Sequence, residues 1–170
     1  MADGGNGIAL FDFEDETQLS HWATVDDVVM GGVSASSVTL EAGALVFSGN
    51  LSLEHGGGFC SARSTTSGWD LARYAGLAVR ARGDGRRYLL TVRVDERFDG
   101  VMYQHPLLDG NEGWELLHVR FEDFVPTYHG RVLTDAGPLD PAHVASVGLL
   151  VADRQAGPFR LAVDSVHAYR

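Results

Sequence analysis

Apolar and polar residues alternate along most of the apolar segments of this chain. In residues 8–13, Phe11 and Phe13 fall on one side and Asp12 on the other. A period of two is typical of a β-strand with one face in the core. The same alternation recurs in residues 77–82, 88–94, 114–121 and 147–151, and residues 38–40, 44–47, 101–106 and 161–163 are further strand candidates. The pattern predicts a protein made mainly of short strands.

Turn residues separate these strands, and helix signals are few. Glu41-Ala42-Gly43 and Asp84-Gly85 each lie between two alternating segments, so each predicts an antiparallel hairpin. Residues 69–74 could form one or two helical turns, and Asp140-Pro141 predicts a short helix through Val144. Many short strands joined by glycine-rich turns predict an all-β fold: a jelly-roll β-sandwich of two antiparallel sheets with one or two short helices.

The chain has 170 residues, which is enough for one domain with a sizeable core. We predict a single β-sandwich domain over residues 8–170, preceded by a disordered segment of residues 1–7. The only cysteine, Cys60, excludes an internal disulfide and is expected to be a small core residue. The side chains expected in the core are Phe47, Phe59, Leu90, Val92, Val119, Leu149 and Val163.

The formal net charge of −10 argues against sequence-independent binding to nucleic acid, which needs a basic surface. Five arginines lie close together in residues 80–93, where a solvated strand face is expected. The first ten residues lack the basic and apolar regions of a signal peptide, and no apolar run is long enough to cross a membrane. The chain is therefore predicted to be cytoplasmic and not inserted in a membrane, unless a targeting segment has been removed.

No catalytic or metal-binding motif emerges from the polar residues. The histidines lack metal-site spacing, no GxSxG surrounds a serine, and the glycine clusters do not open helices. A structural calcium ion near Asp12, Glu14 and Asp164 requires that the terminal strands be neighbours, and exposed carboxylates are the favoured alternative. We therefore predict no catalytic residue, no metal site and no cofactor.

Three glycine-rich or aromatic segments resemble a known family. Trp22 followed by residues 26–34, DDVVMGGVS, is similar to the W…DxVMGGxS signature of the complex I intermediate-associated proteins of the thirty-kilodalton type. Residues 46–52 and 57–63 resemble the next two family segments, vFxGxlS and GGFxSxR. Residues 82–88 and the Gly-Pro-Phe of residues 157–159 continue in the family order, so the resemblance runs from Phe11 to Tyr169.

The resemblance implies a galactose-binding-domain-like sandwich, related in fold to carbohydrate-binding modules, and a non-enzymatic role. Mitochondrial members assist the assembly of respiratory complex I, whereas a free-standing single domain suggests a bacterial protein. One departure from the family pattern is His129, which stands where an arginine is expected. If that arginine binds an anionic partner in relatives, this chain lacks the contact unless Arg131 substitutes.

Three functions follow as hypotheses. The first is a chaperone-like binding module for a protein partner, such as a respiratory-complex subunit or assembly intermediate. The second is a carbohydrate-binding module with an aromatic-lined sheet face. The third is an enzyme acting on a glycan or an ester through paired carboxylates, drawn from Asp26, Asp27, Glu54, Asp95, Glu96 and Asp99.

The first hypothesis assigns a recognition surface to the glycine-rich segments. In it, Asp27 and Arg63 pair, and Gly31-Gly32 adopts a backbone that alanine resists, with a positive φ as the expected reason. The candidate binding residues are Trp22, Asp27, Met30, Gly31, Gly32, Ser34, Glu54, Phe59, Arg63 and Trp114.

Overall fold

Two antiparallel sheets enclose one apolar core in the computed structural model, which describes residues 7–65 and 67–170. The strands in chain order are β1 (Gly7–Phe11), β2 (Trp22–Asp26), β3 (Ala35–Glu41), β4 (Ala44–Leu51), β5 (Cys60–Ser64), β6 (Gly76–Arg82), β7 (Tyr88–Arg93), β8 (Met102–Leu108), β9 (Trp114–Arg120), β10 (Val125–Tyr128), β11 (Arg131–Val132), β12 (Ser146–Val151) and β13 (Gly157–Tyr169). The predicted jelly-roll β-sandwich of two antiparallel sheets is confirmed.

The first sheet has the strand order β3-β4-β13-β6-β9, and the second has the order β11-β10-β8-β7-β12-β5-β2. The long strand β13 organises the first sheet, because it pairs with β4 along its first half and with β1 along its second half. In the second sheet, β12 lies between β5 and β7. Strands that are far apart in the chain are therefore neighbours in both sheets.

The inward faces of both sheets supply the core. Six of the seven predicted core side chains are buried: Phe47, Leu90, Val92, Val119, Leu149 and Val163. The prediction for Phe59 is wrong, since this side chain is only partly buried. Phe59 precedes β5 in a loop, where its backbone N–H and carbonyl are bonded to Asp27.

One predicted hairpin is confirmed and the other is wrong. Ala42 and Gly43 form the turn between β3 and β4 with φ values of 50° and 78°. By contrast, β6 and β7 belong to different sheets, so the Asp84-Gly85 segment crosses between the sheets. Both strands alternate in the same way whether they pair with each other or with distant strands, which is why the pattern did not separate the two cases.

The helices of the described residues are short 3-10 turns: Glu16–His21, Asp27–Met30, Glu54–Gly56, Phe121–Asp123 and Pro141–His143. The last one confirms the Asp140-Pro141 signal, with the Asp140 carboxylate accepting from the Ala142 N–H at 3.0 Å. Residues 69–74 are not helical, and Trp69 bridges to Val144 instead. No described helix has the length and apolar character to cross a membrane.

The predicted disordered segment, residues 1–7, lies outside the described residues except for Gly7. Gly7 begins β1 and pairs with Tyr169.

Candidate functional site

Asp27 is completely buried where β2 ends, and its carboxylate accepts four hydrogen bonds. Oδ1 accepts from the N–H of Ser34 at 3.0 Å, and Oδ2 accepts from the Ser34 hydroxyl at 2.6 Å. Oδ2 also accepts from the N–H groups of Gly58 at 2.6 Å and Phe59 at 3.3 Å. This Asp27 network joins the first glycine-rich segment, residues 27–34, to the second, residues 54–59.

Two glycines make room for this carboxylate. A Cβ on Gly32 would lie 2.4 Å from Oδ1 of Asp27, and a Cβ on Gly57 would lie 2.5 Å from Oδ2. Gly31 has a different role: it adopts the left-handed backbone conformation, with a φ of 88°, that ends the 3-10 turn. The DxVMGGxS and GGF motifs therefore encode one buried hydrogen-bonded centre.

Ser34 extends the network to a third segment. Its hydroxyl donates to Asp27 and accepts from the N–H of Ser52 at 2.8 Å. Ser52 directly follows β4, so the network is also tied to the first sheet. The neighbouring carboxylate, Asp26, accepts from the Ser36 hydroxyl at 2.6 Å. Both acidic residues of the signature are thus engaged in structural hydrogen bonds.

The hydrogen bonds keep Asp27 ionised despite its burial. Burial alone raises the pKa of Asp27, but the bonds from the Ser34 hydroxyl and from the N–H groups of Gly58, Ser34 and Phe59 outweigh it, so the pKa lies below its usual value. A carboxylate of this kind stabilises a loop, whereas a general acid or base needs a pKa near the working pH.

The apolar loop, defined as Val28, Val29, Met30 and Val33, projects from this network into solvent. The four side chains are 62%, 61%, 59% and 50% exposed. Single exposed apolar residues are common on protein surfaces, but four within six positions form a patch. The chain thus holds an apolar surface on a loop whose base is rigidly bonded.

Arg63 does not pair with Asp27, and that prediction is wrong. In β5 the side chains of Cys60 and Ala62 enter the core, so the alternation turns Arg63 to the outer face of the second sheet. There its Nη1 donates to the carbonyl of Phe98 at 3.0 Å, and its guanidinium lies 5.1 Å from the centre of the Phe98 ring.

The remaining candidate residues divide between the loops and other parts of the fold. Glu54 is exposed in the second glycine-rich segment, close in the chain to Phe59. Trp22 lies in the core, with its ring centre 5.3 Å from that of Phe11. Trp114 is 38% exposed on β9, at the edge of the first sheet. The structure brings together Asp27, Met30, Gly31, Gly32, Ser34 and Phe59, and it places both tryptophans elsewhere.

Sequence analysis missed a second buried network, centred on Arg86. All five guanidinium N–H groups have acceptors: the two carboxylate oxygens of Asp153, at 3.0 and 2.7 Å, and the carbonyls of Gln155, Gly157 and Pro158. The expectation of a solvated arginine face fails here, because Arg86 is buried. The two segments that meet at this side chain, residues 82–88 and the Gly-Pro-Phe of residues 157–159, both belong to the family resemblance, which was the available signal.

Two of the three acidic residues named for a calcium ion, Asp12 and Asp164, have other partners. Asp12 accepts from the side-chain amide of Gln18 at 2.8 Å, and Asp164 forms an ion pair with Arg80. Among residues 7–65 and 67–170, no group of three or more histidine, cysteine or acidic side chains is placed to hold a metal ion. His129, the departure from the family pattern, contacts Asp99 through Nε2 at 2.6 Å.

A groove of about 920 Å³ runs over the outer face of the first sheet. Trp114 lines it, and the guanidinium of Arg80 lies 4.6 Å from the centre of a Trp114 ring. The small side chains of Ala44 and Ala162 also line it, together with charged residues of both signs. This groove and the apolar loop are separate surfaces.

The fold is similar to that of carbohydrate-binding modules. A family 11 carbohydrate-binding module from Clostridium thermocellum, solved with a β-1,3-1,4-mixed-linked tetrasaccharide, superposes with a TM-score of 0.76 over 98% of this chain and 97% of that chain. The sequence identity is 14%, so the likeness concerns the fold alone.

Two curated relatives illustrate the sequence similarity. The chain is 36% identical over 101 residues, 59% of its length, to the mitochondrial complex I intermediate-associated protein 30 of Neurospora crassa. It is 26% identical over 182 aligned positions, 94% of its length, to the mouse protein of the same name. The alignments span 36% and 55% of these longer relatives.

The relatives correct two predictions. Both are mitochondrial proteins of eukaryotes by name, which contradicts the prediction of a cytoplasmic, bacterial protein. The prediction of a cytoplasmic protein rested on the composition of the first ten residues, and that of a bacterial protein rested on a free-standing domain; where the sequence begins and ends decides neither. The family description names an association and not a reaction, in agreement with the predicted non-enzymatic role.

The family resemblance is confirmed over most of the chain. The model of the family described as complex I intermediate-associated protein 30 matches residues 11–163, which include the Asp27 network, the apolar loop and the Arg86 network. On this match, the chain belongs to the complex I intermediate-associated protein 30 family.

Proposed function

We propose that this chain is a non-catalytic module that assists the assembly of complex I by presenting the apolar loop to a protein partner. The observation that carries this proposal is the exposure of Val28, Val29 and Met30, each 59–62% exposed, on a loop fixed by the buried Asp27. Apolar surface of this kind is typical of protein contact sites. A loop that is already ordered loses little conformational entropy on binding.

The names of the relatives support the choice of a complex I component as the partner of the apolar loop. They associate with an intermediate of complex I in mitochondria, so the proposed partner is a complex I subunit or assembly intermediate. Methionine and valine at the loop suit such a contact, because both bury apolar area and the methionine adapts to an irregular partner surface.

The test uses a double variant of the loop, Val29→Asp with Met30→Asp. The chain, carrying a mitochondrial targeting segment, is expressed in Neurospora crassa that lacks its own relative. Native gels then measure the amount of assembled complex I and the comigration of the chain with an assembly intermediate. We expect the unmodified chain to restore both and the double variant to restore neither, because two carboxylates oppose burial of the loop.

The matched control is Leu116→Asp, which changes a side chain that is 57% exposed on β9. It should restore complex I as well as the unmodified chain does. Equal restoration by the loop variant would refute the contact at the loop. Failure of the unmodified chain, when correctly imported and folded, would refute the assembly role itself.

A second candidate function, glycan binding, is favoured by the groove beside Trp114. An indole side chain at the edge of a groove of about 920 Å³, together with charged hydrogen-bonding groups, suits stacking against a sugar ring. Calorimetry with a β-1,3-1,4-mixed-linked tetrasaccharide tests it. Binding that Trp114→Ala abolishes would support this function, and the absence of heat with the unmodified chain would refute it for this glycan.

A further inference from the structure

Two arginines on the outer face of the second sheet lie on either side of β12. Gly148 of β12 pairs with Arg63 on one side and with Thr91 on the other, and Ser146 pairs with Arg93. Strands two positions apart are separated by about 10 Å, so the two arginine stems stand at that spacing across the sheet. Of β12, Gly148, which has no side chain, and Ser146 lie between them.

These arginines differ from the others in the chain. Three of the 13 arginines are not exposed: Arg63, Arg86 and Arg93. Arg86 has Asp153 as its counter-ion, whereas Arg63 and Arg93 form no ion pair with any carboxylate of the described residues. Because a partly buried charge is costly without a partner of opposite sign, this pair calls for an anion.

The hydrogen bonds of the two guanidiniums to backbone atoms end on neutral acceptors. Arg63 donates to the Phe98 carbonyl at 3.0 Å, and Arg93 donates to the Gly100 carbonyl at 3.2 Å. Both acceptors are neutral groups of the β7–β8 loop, so they orient the guanidiniums without neutralising them. Each guanidinium keeps further N–H groups for a ligand, because it has five donors.

Electrostatics agrees with this geometry. Burial first, and then the like charge of Arg93, lower the pKa of Arg63 to about 10, against the opposing effect of Asp99. Burial also lowers the pKa of Arg93, against the opposing effects of Asp95 and Asp99. Asp99 is itself held by the Tyr128 hydroxyl at 3.2 Å and by His129 at 2.6 Å. Asp99 is therefore engaged by these two side chains, and Asp95 accepts from the N–H of Arg97 at 3.0 Å.

The hydroxyl of Thr91 lies over Gly148, between the two arginine-bearing positions. The hydroxyl oxygen of Thr91 lies 2.6 Å from the position of a Cβ on Gly148, and the backbone oxygen of Ala62 lies 2.7 Å from it. Any side chain at 148 would clash with this hydroxyl and with the Ala62 oxygen. Glycine therefore lets the Thr91 hydroxyl pack over β12, with Ser146 one pair farther along the strand.

We propose that Arg63, Arg93 and Thr91 form a binding site for a carboxylate group of a ligand. Guanidinium groups bind a carboxylate through two parallel hydrogen bonds, and the hydroxyl adds a third donor. The negative charges of Asp95 and Asp99 nearby suit a singly charged group better than a phosphate dianion. The carboxylate belongs either to an acidic side chain of a protein or to a free dicarboxylic acid.

This inference does not depend on the proposed function, because the apolar loop contributes no residue to the site. The test is a titration of the folded chain with sodium glutarate and, separately, with a tetraglutamate peptide. The side-chain Nε–Hε signals of the arginines report binding by nuclear magnetic resonance. Sodium chloride at matched ionic strength corrects for screening.

We expect saturable shifts of the Arg63 and Arg93 signals, with a dissociation constant of about 1 mM for glutarate. Arg63→Gln and Arg93→Gln should each weaken binding by about tenfold or more, the loss expected for a charge-assisted pair. Arg63→Lys keeps the charge but not the planar fork, and should weaken binding by a smaller factor. The matched control Arg80→Gln, on the first sheet, should leave the affinity unchanged.

Two results would overturn the proposal: shifts no larger than those in chloride, or binding that survives both glutamine variants. Tighter binding of inorganic phosphate than of glutarate would overturn the assignment to a carboxylate. If either probe binds as expected, the proposal stands. Tighter binding of the peptide then assigns the site to a protein segment, and tighter binding of glutarate assigns it to a free acid.

Discussion

A methyl group on Gly32 would lie 2.4 Å from Oδ1 and 2.5 Å from the carboxyl carbon of Asp27. The carboxylate cannot move aside, because hydrogen bonds from Ser34, Gly58 and Phe59 hold it. A positive φ was expected at both signature glycines. Only Gly31 has one, with a φ of 88°. Gly31 supplies a backbone conformation, and Gly32 supplies space.

Gly32→Ala should lower the free energy of unfolding by about 2–4 kcal/mol, because overpacking against a bonded carboxylate adds to the loss of hydrogen bonds. Urea denaturation followed by tryptophan fluorescence measures this change. Gly31→Ala should cost less, about 1 kcal/mol, since the only penalty there is the left-handed backbone.

Gly113→Ala is the matched control for the Gly32 variant. A Cβ on Gly113 meets nothing within 4 Å, and its φ is not left-handed. The Gly113→Ala substitution should change the free energy of unfolding by less than about 0.5 kcal/mol. If Gly32→Ala is as mild as this control, the Asp27 carboxylate does not constrain the glycine.

Asp27→Asn should destabilise the fold by about 2–4 kcal/mol at neutral pH, because the amide puts donors where the network needs acceptors. Since the folded-state pKa of Asp27 lies below the reference value of 3.8, its contribution is complete above that value and is lost as the pH falls toward the folded-state pKa. Thermal denaturation between pH 7 and pH 3 should therefore show that the variant loses less stability at acid pH than the unmodified chain does. Parallel pH curves would contradict the depressed pKa.

Alternation along the chain was enough to predict the sandwich, but not which strands pair. Ala42-Gly43 closes a true hairpin, whereas Asp84-Gly85 crosses between sheets. Pairing is decided by contacts between distant segments, such as Gly148 with Arg63, which a local pattern does not contain.

The sequence identified residues that meet in the candidate site, but it did not identify the hydrogen bonds between them. The signature motif pointed to Asp27, Gly32 and Ser34, which do meet. The partner of Asp27 was wrong because charge alone suggested Arg63, while the structure uses a hydroxyl and backbone N–H groups. Nearly every residue has a backbone N–H group, so the sequence does not indicate which of these groups donate to a given side chain. Only the folded structure shows these hydrogen bonds.

Arg86→Lys should destabilise the fold by about 3 kcal/mol or more. Arg86 donates all five N–H groups, two of them to Asp153, and a lysine ammonium cannot reach these acceptors in one plane. Urea denaturation measures the loss. The control is Arg87→Lys at an exposed position, which should change stability by less than about 0.5 kcal/mol. Equal effects at the two positions would show that the Asp153 pair contributes little.

Cys60 should be unreactive in the folded protein. Its side chain is completely buried in β5, and burial, followed by the charge of Asp26, raises the pKa of the thiol to about 12. Because the thiolate is the reactive form, almost none is present at neutral pH, and reagent has no access to it. A chromogenic disulfide reagent at pH 8 should label one thiol per chain in denaturant and less than about a tenth of that in native buffer over the same time. Rapid native labelling that matches the denatured rate would mean that β5 opens readily, and the second sheet would then be far less rigid than its pairing with β2 and β12 indicates.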